Sequence, residues 1–445
     1  MKSARQTAFE ILLKIQKDGA YSNLAVDSVL TENTELDSRD SAFVSALVYG
    51  TTERRISVDY NLSLYLAQPI KKLKPELLAI MRMGAYQLLF MDKVPESAAV
   101  NESVKLAKDN KSAYAAALVN AVLRKVAQNG FVLPDGDDNT LKKLSVMYSV
   151  PEWILNLWIE SYGFENAVEL AEKALEPAKT VIRVNTLNTT DDGLLCVLES
   201  EGVTAVKSDV VENSLVLEKQ GSVEKLVAYK EGLFHVQDFS SQLCVKALNP
   251  QPGETVFDLC SAPGGKAFTA AQKMNGKGIV NAFDIYQSRV ELIRNGAKRL
   301  CLPNVKPFLS DASVFNENYG TADKVLCDVP CSGLGIIGRK PEIRFKTEDD
   351  IKTLPELQFN ILCNARRYLK ENGRLVYSTC TLNPAENEDV CRRFLNECRD
   401  YVSVPVLPGV DGYRQGDFLT LMPHISGTDG FFIAAFEKRR CNNDG

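Results

Sequence analysis

This 445-residue chain has little histidine and little tryptophan, two of each. With only His235 and His424, and no Cys-x-x-Cys pair, it lacks the ligand spacing of a zinc site, and no metal is expected. Cysteine is absent from the first 195 residues, and the eleven that follow are odd in number. That excludes a secreted disulfide framework and fits a reducing compartment. No stretch approaches the roughly 18 uncharged apolar residues of a membrane helix. The opening "MKSARQTAFEILLKIQKDGA" alternates charged and apolar residues at helical spacing and has no unbroken apolar core of the signal-peptide kind. The reading is a cytoplasmic protein with no membrane contact, and a monomer. Strong positive charge is also missing, since the net charge is −5. Residues 1–130 hold 17 basic and 14 acidic side chains, and the remainder 35 and 43. A nucleic-acid partner would therefore be met by local patches rather than by a global field.

A chain this long exceeds one core. Residues 1–135 read as helices. "SARQTAFEILLKIQ" places Ala8, Ile11, Leu12 and Ile15 on one face, and "KPELLAIMRMGAYQLLF" and "AYAAALVNAVLRKVAQ" repeat the spacing. The turn-rich "NGFVLPDGDDNT" marks a boundary. Residues 141–230 mix helical "PEWILNLWIESYG" with short strands in "KTVIRVNT" and "SLVLEK", a small α+β domain. From 231 to 440, strands and helices alternate: "ETVFDLC", "GIVNAFD", "NVKPFLSD", "ADKVLCDVP" and "GRLVYSTC", each followed by a turn or a helical stretch, with "GFFIAAFEK" as a possible last strand. That rhythm predicts a C-terminal α/β Rossmann-like domain with a mostly parallel sheet, whose ligands sit at the strands' carboxyl ends. Asp284, Asp311, Asp328 and Cys380 all fall at such ends.

"FDLCSAPGGKAFTAAQ" runs strand, glycine-rich turn, helix. Position 260 is Cys where a triphosphate loop needs Gly, and Ala267 follows Lys266 where that loop needs Ser or Thr; the dinucleotide pattern G-x-G-x-x-G is also missing. A ligand with a small carboxylate and a ribose remains, and S-adenosylmethionine has both. Asp284, 20 residues past Gly264, suits an acid that bonds ribose hydroxyls.

Two thiols, in "DVPCSG" and "VYSTCTLNPAENEDV", would lie near that ligand. C5 of cytosine is a poor nucleophile until a thiolate adds to C6. Such chemistry needs a thiol, a group that stabilises charge at N3 and the exocyclic nitrogen, and a proton acceptor. Asp328, Cys331 and Cys380 are suitable residue types.

"DLCSAPGGK", "DVPCSGLG" and "YSTCTLNPAENE" resemble motifs of the RNA cytosine-C5 methyltransferases. "LVYGTTERR", "MRMGAYQLLF" and "SAAVNESVKLAK" resemble the NusB-like domain that precedes them in the bacterial ribosomal RNA branch, the Sun or Fmu type. The resemblance implies that Cys260, Ser261, Ala262, Pro263, Gly264, Gly265 and Lys266 wrap the methionine part of S-adenosylmethionine. It implies further that Asp284 holds the ribose with Arg289 in support, that Asp311 sits by the adenine, and that Asp328 lies between cofactor and cytosine. In the family the T-C thiol, here Cys380, attacks, and the P-C thiol, here Cys331, assists release. The implied substrate is small-subunit ribosomal RNA. Transfer or other RNA, DNA, and a non-catalytic assembly factor with a relic fold are the alternatives. "GRKPEIRFK", with Arg339, Lys340, Arg344 and Lys346, is either a solvated stretch or a phosphate contact. Arg54, Arg55, Lys71, Lys72 and Lys74 could form a second basic patch.

Overall fold

The computed structural model describes residues 2–19, 22–32, 36–219 and 222–439. Cys441, and residue 440 at the end of the expected third domain, lie outside them. The chain forms two compact units: residues 1–176 with 337–347, and residues 177–336 with 348–445.

The first unit is helical. Seven helices, Ala4–Asp18, Ser22–Glu32, Ser38–Glu53, Arg55–Ser63, Pro75–Phe90, Glu96–Asp109 and Ala116–Asn129, pack around one core. The spacing of Ala8, Ile11, Leu12 and Ile15 is why: all four are buried on one face. Ser3 caps the first helix by accepting from the Gln6 amide, and Asp37 caps the third through Asp40. Three more helices span Leu141–Tyr148, Glu152–Tyr162 and Phe164–Lys173. Their contacts group them with the first unit.

That unit also takes back residues 337–347, where the sequence offered a solvated stretch or a phosphate contact. Arg344 is buried and donates to the Ile337 and Ala174 carbonyls, 2.9 Å each. Burial pulls its guanidinium down to about 10. Glu342 accepts from Ser22 N and Oγ, the Trp153 indole donates to Lys346 O, and Arg55 lies 4.1 Å over the Phe345 ring. Arg54 donates to Met147 O and covers Phe90. Arg344, Arg54 and Arg55 thus hold the unit together, while Lys71, Lys72 and Lys74 stay exposed.

The second unit carries two sheets. The smaller is antiparallel: β1 (Thr180–Val184), β2 (Thr204–Lys207), β3 (Ser214–Lys219) and β4 (Phe234–Val236), in the order β2-β3-β1-β4. Asn185 joins it to the larger domain by donating to Leu300 O, and Arg299 returns bonds to Tyr229 O and Phe234 O.

The larger sheet has nine strands. β5 (Thr255–Asp258), β6 (Ile279–Asp284), β7 (Val305–Leu309), β8 (Ala322–Asp328) and β9 (Leu369–Thr379) are mutually parallel in the order β7-β6-β5-β8-β9. β10 (Tyr401–Val404), β11 (Tyr413–Gln415), β12 (Phe418–Leu421) and β13 (Phe431–Lys438) add an antiparallel edge beyond β9. The central strands read as unbroken apolar runs because both faces are covered. Val256, Val280, Leu326 and Val376 face one core, and Phe257, Phe283, Val325 and Tyr377 the other. The strand order reverses at β5 and β8, which opens a crevice at their carboxyl ends. Among the described residues, no helix is long and apolar enough to cross a membrane.

Candidate active site

Backbone bonds knit the loops at that carboxyl edge. Ser261 N donates to Phe283 O, Leu259 N to Leu326 O, Ser310 N to Asp284 O and Val329 N to Ser378 O. The ends of β5 to β9 are thereby drawn together.

After β5, residues 259–264 turn sharply into the helix Gly265–Lys273. The Ala262–Pro263 bond is cis, and Gly264 takes φ +109°, where a Cβ would also strike Phe268 at 2.3 Å. Glycine is required there on both counts. The turn leaves the first N–H groups of the helix facing the crevice end of the sheet, a setting that suits an anion. Ser261 Oγ is buried and makes no hydrogen bond of ordinary length. Asp258 is likewise closed in: it is 1% exposed, its oxygens make no hydrogen bond of ordinary length although Ser261 Oγ and the Cys260 backbone lie near enough to favour its charged form, and burial outweighs them and pushes it up to about 7. It ends its strand and heads the motif "DLCSAPGGK", although none of the implied cofactor contacts falls on it. Buried polar atoms left unsatisfied at a loop of this shape fit a polar ligand. A carboxylate-, ammonium- and ribose-bearing molecule matches the donors and acids present.

Asp284 ends β6, is buried, and accepts from Tyr286 N at 3.1 Å. Arg289 does not reach it among the described residues; its guanidinium lies 5.2 Å over the Tyr286 ring, so any support is indirect. Asp311 is exposed and accepts from Ser313 N and Oγ, which shapes its own turn.

Asp328 ends β8 opposite Ser378 of β9. Its Oδ2 takes a 2.6 Å bond from Lys266 Nζ and its Oδ1 a 2.8 Å bond from Ser378 Oγ. Burial alone would lower the Lys266 ammonium, but the adjacent Asp328 charge outweighs it and raises it. Three residues on, Cys331 Sγ meets Cys380 Sγ at 3.3 Å. The bond to Cys380, then burial, push the Cys331 thiol well above its usual range, so it is held protonated. The Cys331 loop approaches the next segment closely. Gly335 N donates to Cys380 O at 3.0 Å, and a Cβ on Gly335 would lie 2.0 Å from Gly430 O. Lys266, Asp328, Cys331 and Cys380, which span 115 positions, thus occupy one edge.

This arrangement has relatives. A family model described as 16S rRNA methyltransferase RsmB/F matches residues 245–437. The NusB family model matches residues 2–128, and that of the RsmF/B-like ferredoxin-like domain residues 150–224. Over 98% of this chain and 99% of the relative, the sequence is 35% identical to a protein of Bacillus subtilis named probable ribosomal RNA small subunit methyltransferase B. The chain belongs to this methyltransferase family. A relative from Vibrio cholerae, named ribosomal RNA small subunit methyltransferase B, is 31% identical over 91% of both chains. Among solved structures, that of PH0851 has a TM-score of 0.84 at 28% identity and covers 97% of this chain and 98% of its own. A methyltransferase homolog from Pyrococcus horikoshii has a TM-score of 0.60 at 30% identity, covering 67% and 99%. The helical N-terminal domain is accordingly NusB-like, the small sheet domain ferredoxin-like, and the parallel-sheet domain the methyltransferase fold.

Proposed function

We propose that this protein is an S-adenosylmethionine-dependent methyltransferase that acts on cytosine C5 in small-subunit ribosomal RNA through a covalent bond from a cysteine to C6. The observation that carries the reading is the 3.3 Å contact of Cys331 and Cys380 beside Asp328. Two thiols and an acid at the carboxyl edge are what C5 methylation needs and what methyl transfer to an already nucleophilic nitrogen does not. The family names of the relatives support the substrate, and the motif resemblance supports the base.

In this reading residues 260–266 and the helix start hold the methionine part of the cofactor, Asp284 the ribose, and Asp311 the adenine side. The cofactor, when bound, supplies a methyl group on a positively charged sulfur. The protein supplies the rest. Cys380 adds to C6 and makes C5 enamine-like. Asp328, held by Lys266 and Ser378, lies where it can bond N3 and the exocyclic amine as charge builds there. Once C5 carries its methyl, a base must take the C5 proton before the Cys380–C6 bond breaks. Cys331, in contact with Cys380, serves that release once its own thiol proton has passed to solvent, since only the thiolate can accept a proton from C5. That Cys380 rather than Cys331 attacks rests on the resemblance of its T-C motif to that of the family.

Residues 1–135 are proposed as an RNA-binding domain, 141–230 as the small linking domain and 231–440 as the catalytic domain of a cytoplasmic monomer. Bisulfite mapping of small-subunit ribosomal RNA from a deletion strain tests the whole. One methylated cytosine should disappear and return with the intact gene. A full set of methylated sites in the deletion strain would reject the substrate, and failure to bind S-adenosylmethionine in calorimetry would reject the enzyme.

A further inference from the structure

The motif "LNPAENE" that follows Cys380 contains a buried acid to which the chemistry above gives no task. Glu386 is fully buried, and its bonds run to three different segments. Its Oε2 accepts from Ser332 N at 2.8 Å, the residue after Cys331, and from Gln358 Nε2 at 2.9 Å. Its Oε1 accepts from Asn383 Nδ2 at 3.0 Å, in the loop after Cys380. The same Gln358 nitrogen donates to Pro330 O at 2.9 Å, so the peptide on the other side of Cys331 is gripped as well. Tyr377 Oη donates to Glu386 O at 2.6 Å, and the Ser332 and Thr381 hydroxyls meet at 2.6 Å.

All the donors to this carboxylate are neutral, and none is replaceable by water in so closed a place. A carboxylate accepts at every lone pair, whereas an amide turns a donor toward one of these N–H groups. Residues 330–332 on one side and 381–383 on the other bracket the two sulfurs. We infer that Glu386 is a positioning residue: its carboxylate clamps the Cys331 loop onto the Cys380 loop and so fixes the contact between the two thiols. The inference rests on the reading that Cys380 attacks and Cys331 assists release. Its negative charge also adds to the effects that keep Cys331 protonated, behind the Cys380 bond and burial.

Glu386→Gln tests it, with Glu386→Asp as the companion that keeps the charge on a shorter stem. If the clamp aligns the sulfurs, Glu386→Gln should lose roughly 10²-fold in kcat, with KM for RNA and cofactor affinity unchanged. It should accumulate a protein–RNA adduct on a denaturing gel, between wild type and Cys331→Ala, because release is the step that needs both sulfurs in register. Glu386→Asp should recover part of the turnover. A second measurement is independent of the reaction. Diamide takes two electrons and two protons from neighbouring thiols and joins them as a disulfide. It should link Cys331 to Cys380 at least tenfold more slowly in Glu386→Gln than in wild type. Wild-type kcat and wild-type linking rate in Glu386→Gln would overturn the clamp, as would turnover and cofactor binding that fall together with no adduct. Absence of an adduct in Cys331→Ala overturns the covalent reading instead, and the diamide rates then judge the clamp alone.

Discussion

Cys331 Sγ and Cys380 Sγ touch at 3.3 Å although 49 positions separate them in the chain. β8 and β9 are parallel neighbours, and the thiols emerge together because each follows the end of its strand. Contact does not make them equivalent. Cys380→Ala should stop the reaction before any bond to RNA forms. Cys331→Ala should let attack and methylation proceed and leave the protein attached to its product. A denaturing gel after incubation with RNA and cofactor should show a heavier band for Cys331→Ala and none for Cys380→Ala or the double variant. The reverse pattern would make Cys331 the nucleophile.

Asp284 should matter to cofactor binding and little to folding. Its carboxylate is buried at the strand end with one backbone bond, which leaves acceptor sites for two hydroxyls. Charge-assisted bonds contribute about 1.5–3 kcal/mol. Asp284→Ala should therefore weaken S-adenosylmethionine binding by roughly tenfold or more in calorimetry. An unchanged affinity would remove the residue from the site.

Arg344 should behave as a structural residue. Its loss leaves the Ile337 and Ala174 carbonyls buried and unpaired. Each such group costs about 1–3 kcal/mol, so Arg344→Ala should lower unfolding stability by about 2–5 kcal/mol in urea melts. The salt dependence of RNA binding should stay as in wild type. A loss of RNA affinity with full stability would restore the phosphate-contact role.

Lys71 and Lys72 are adjacent exposed basic residues on the NusB-like domain. Replacing both with Glu should weaken RNA binding and flatten the plot of log affinity against log salt by about 0.7–0.9 per lost phosphate contact. An unchanged slope would give this face to a protein partner.

Two buried groups in the second unit should pull stability in opposite directions with pH. Burial lowers His235 to about 3. Above about pH 6.5 it is neutral folded or unfolded; as pH falls toward 3, only the unfolded chain takes the proton, so its share of stability is lost. Asp258 is raised to about 7 by burial. Its share is full below about pH 3.9 and is lost as pH climbs through 7. Between about pH 4 and 6.5 the slopes oppose each other, at most about 1.4 kcal/mol per pH unit each. Relative to wild type, His235→Gln should gain stability as pH drops through this window and Asp258→Asn should lose it. Parallel unfolding curves at each pH would show that neither group titrates as described.

The central strands could be read from the sequence because burial on both faces makes them continuous apolar runs, as in "KVLCD" and "RLVYST". β10 to β12 could not. They are three or four residues long, and β11 and β12 pair as an antiparallel ribbon at the edge, where a short alternation carries no period. The site divides in the same way. Glycines, thiols and strand-end acids announce themselves by type. Arg344 and Glu386 sit in polar stretches that look solvated; the partners of Arg344 are backbone carbonyls, which have no residue signature, and those of Glu386 are one backbone N–H and two side-chain amides from separate segments. Ala174 O lies 170 positions from Arg344. Asp258 announces itself by type as well, as a strand-end acid at the head of "DLCSAPGGK", but its burial comes from the closed turn over it, which the sequence does not show.

The return of residues 337–347 to the first unit gives the molecule a particular wiring. The chain passes between the two units three times, near 176, 336 and 347. A single protease cut at any one crossing divides the chain in two, yet peptide bonds at the other two crossings still run from one unit to the other. Nor is the NusB-like part free of the later sequence: without it Glu342 and Phe345 would lose Ser22 and Arg55.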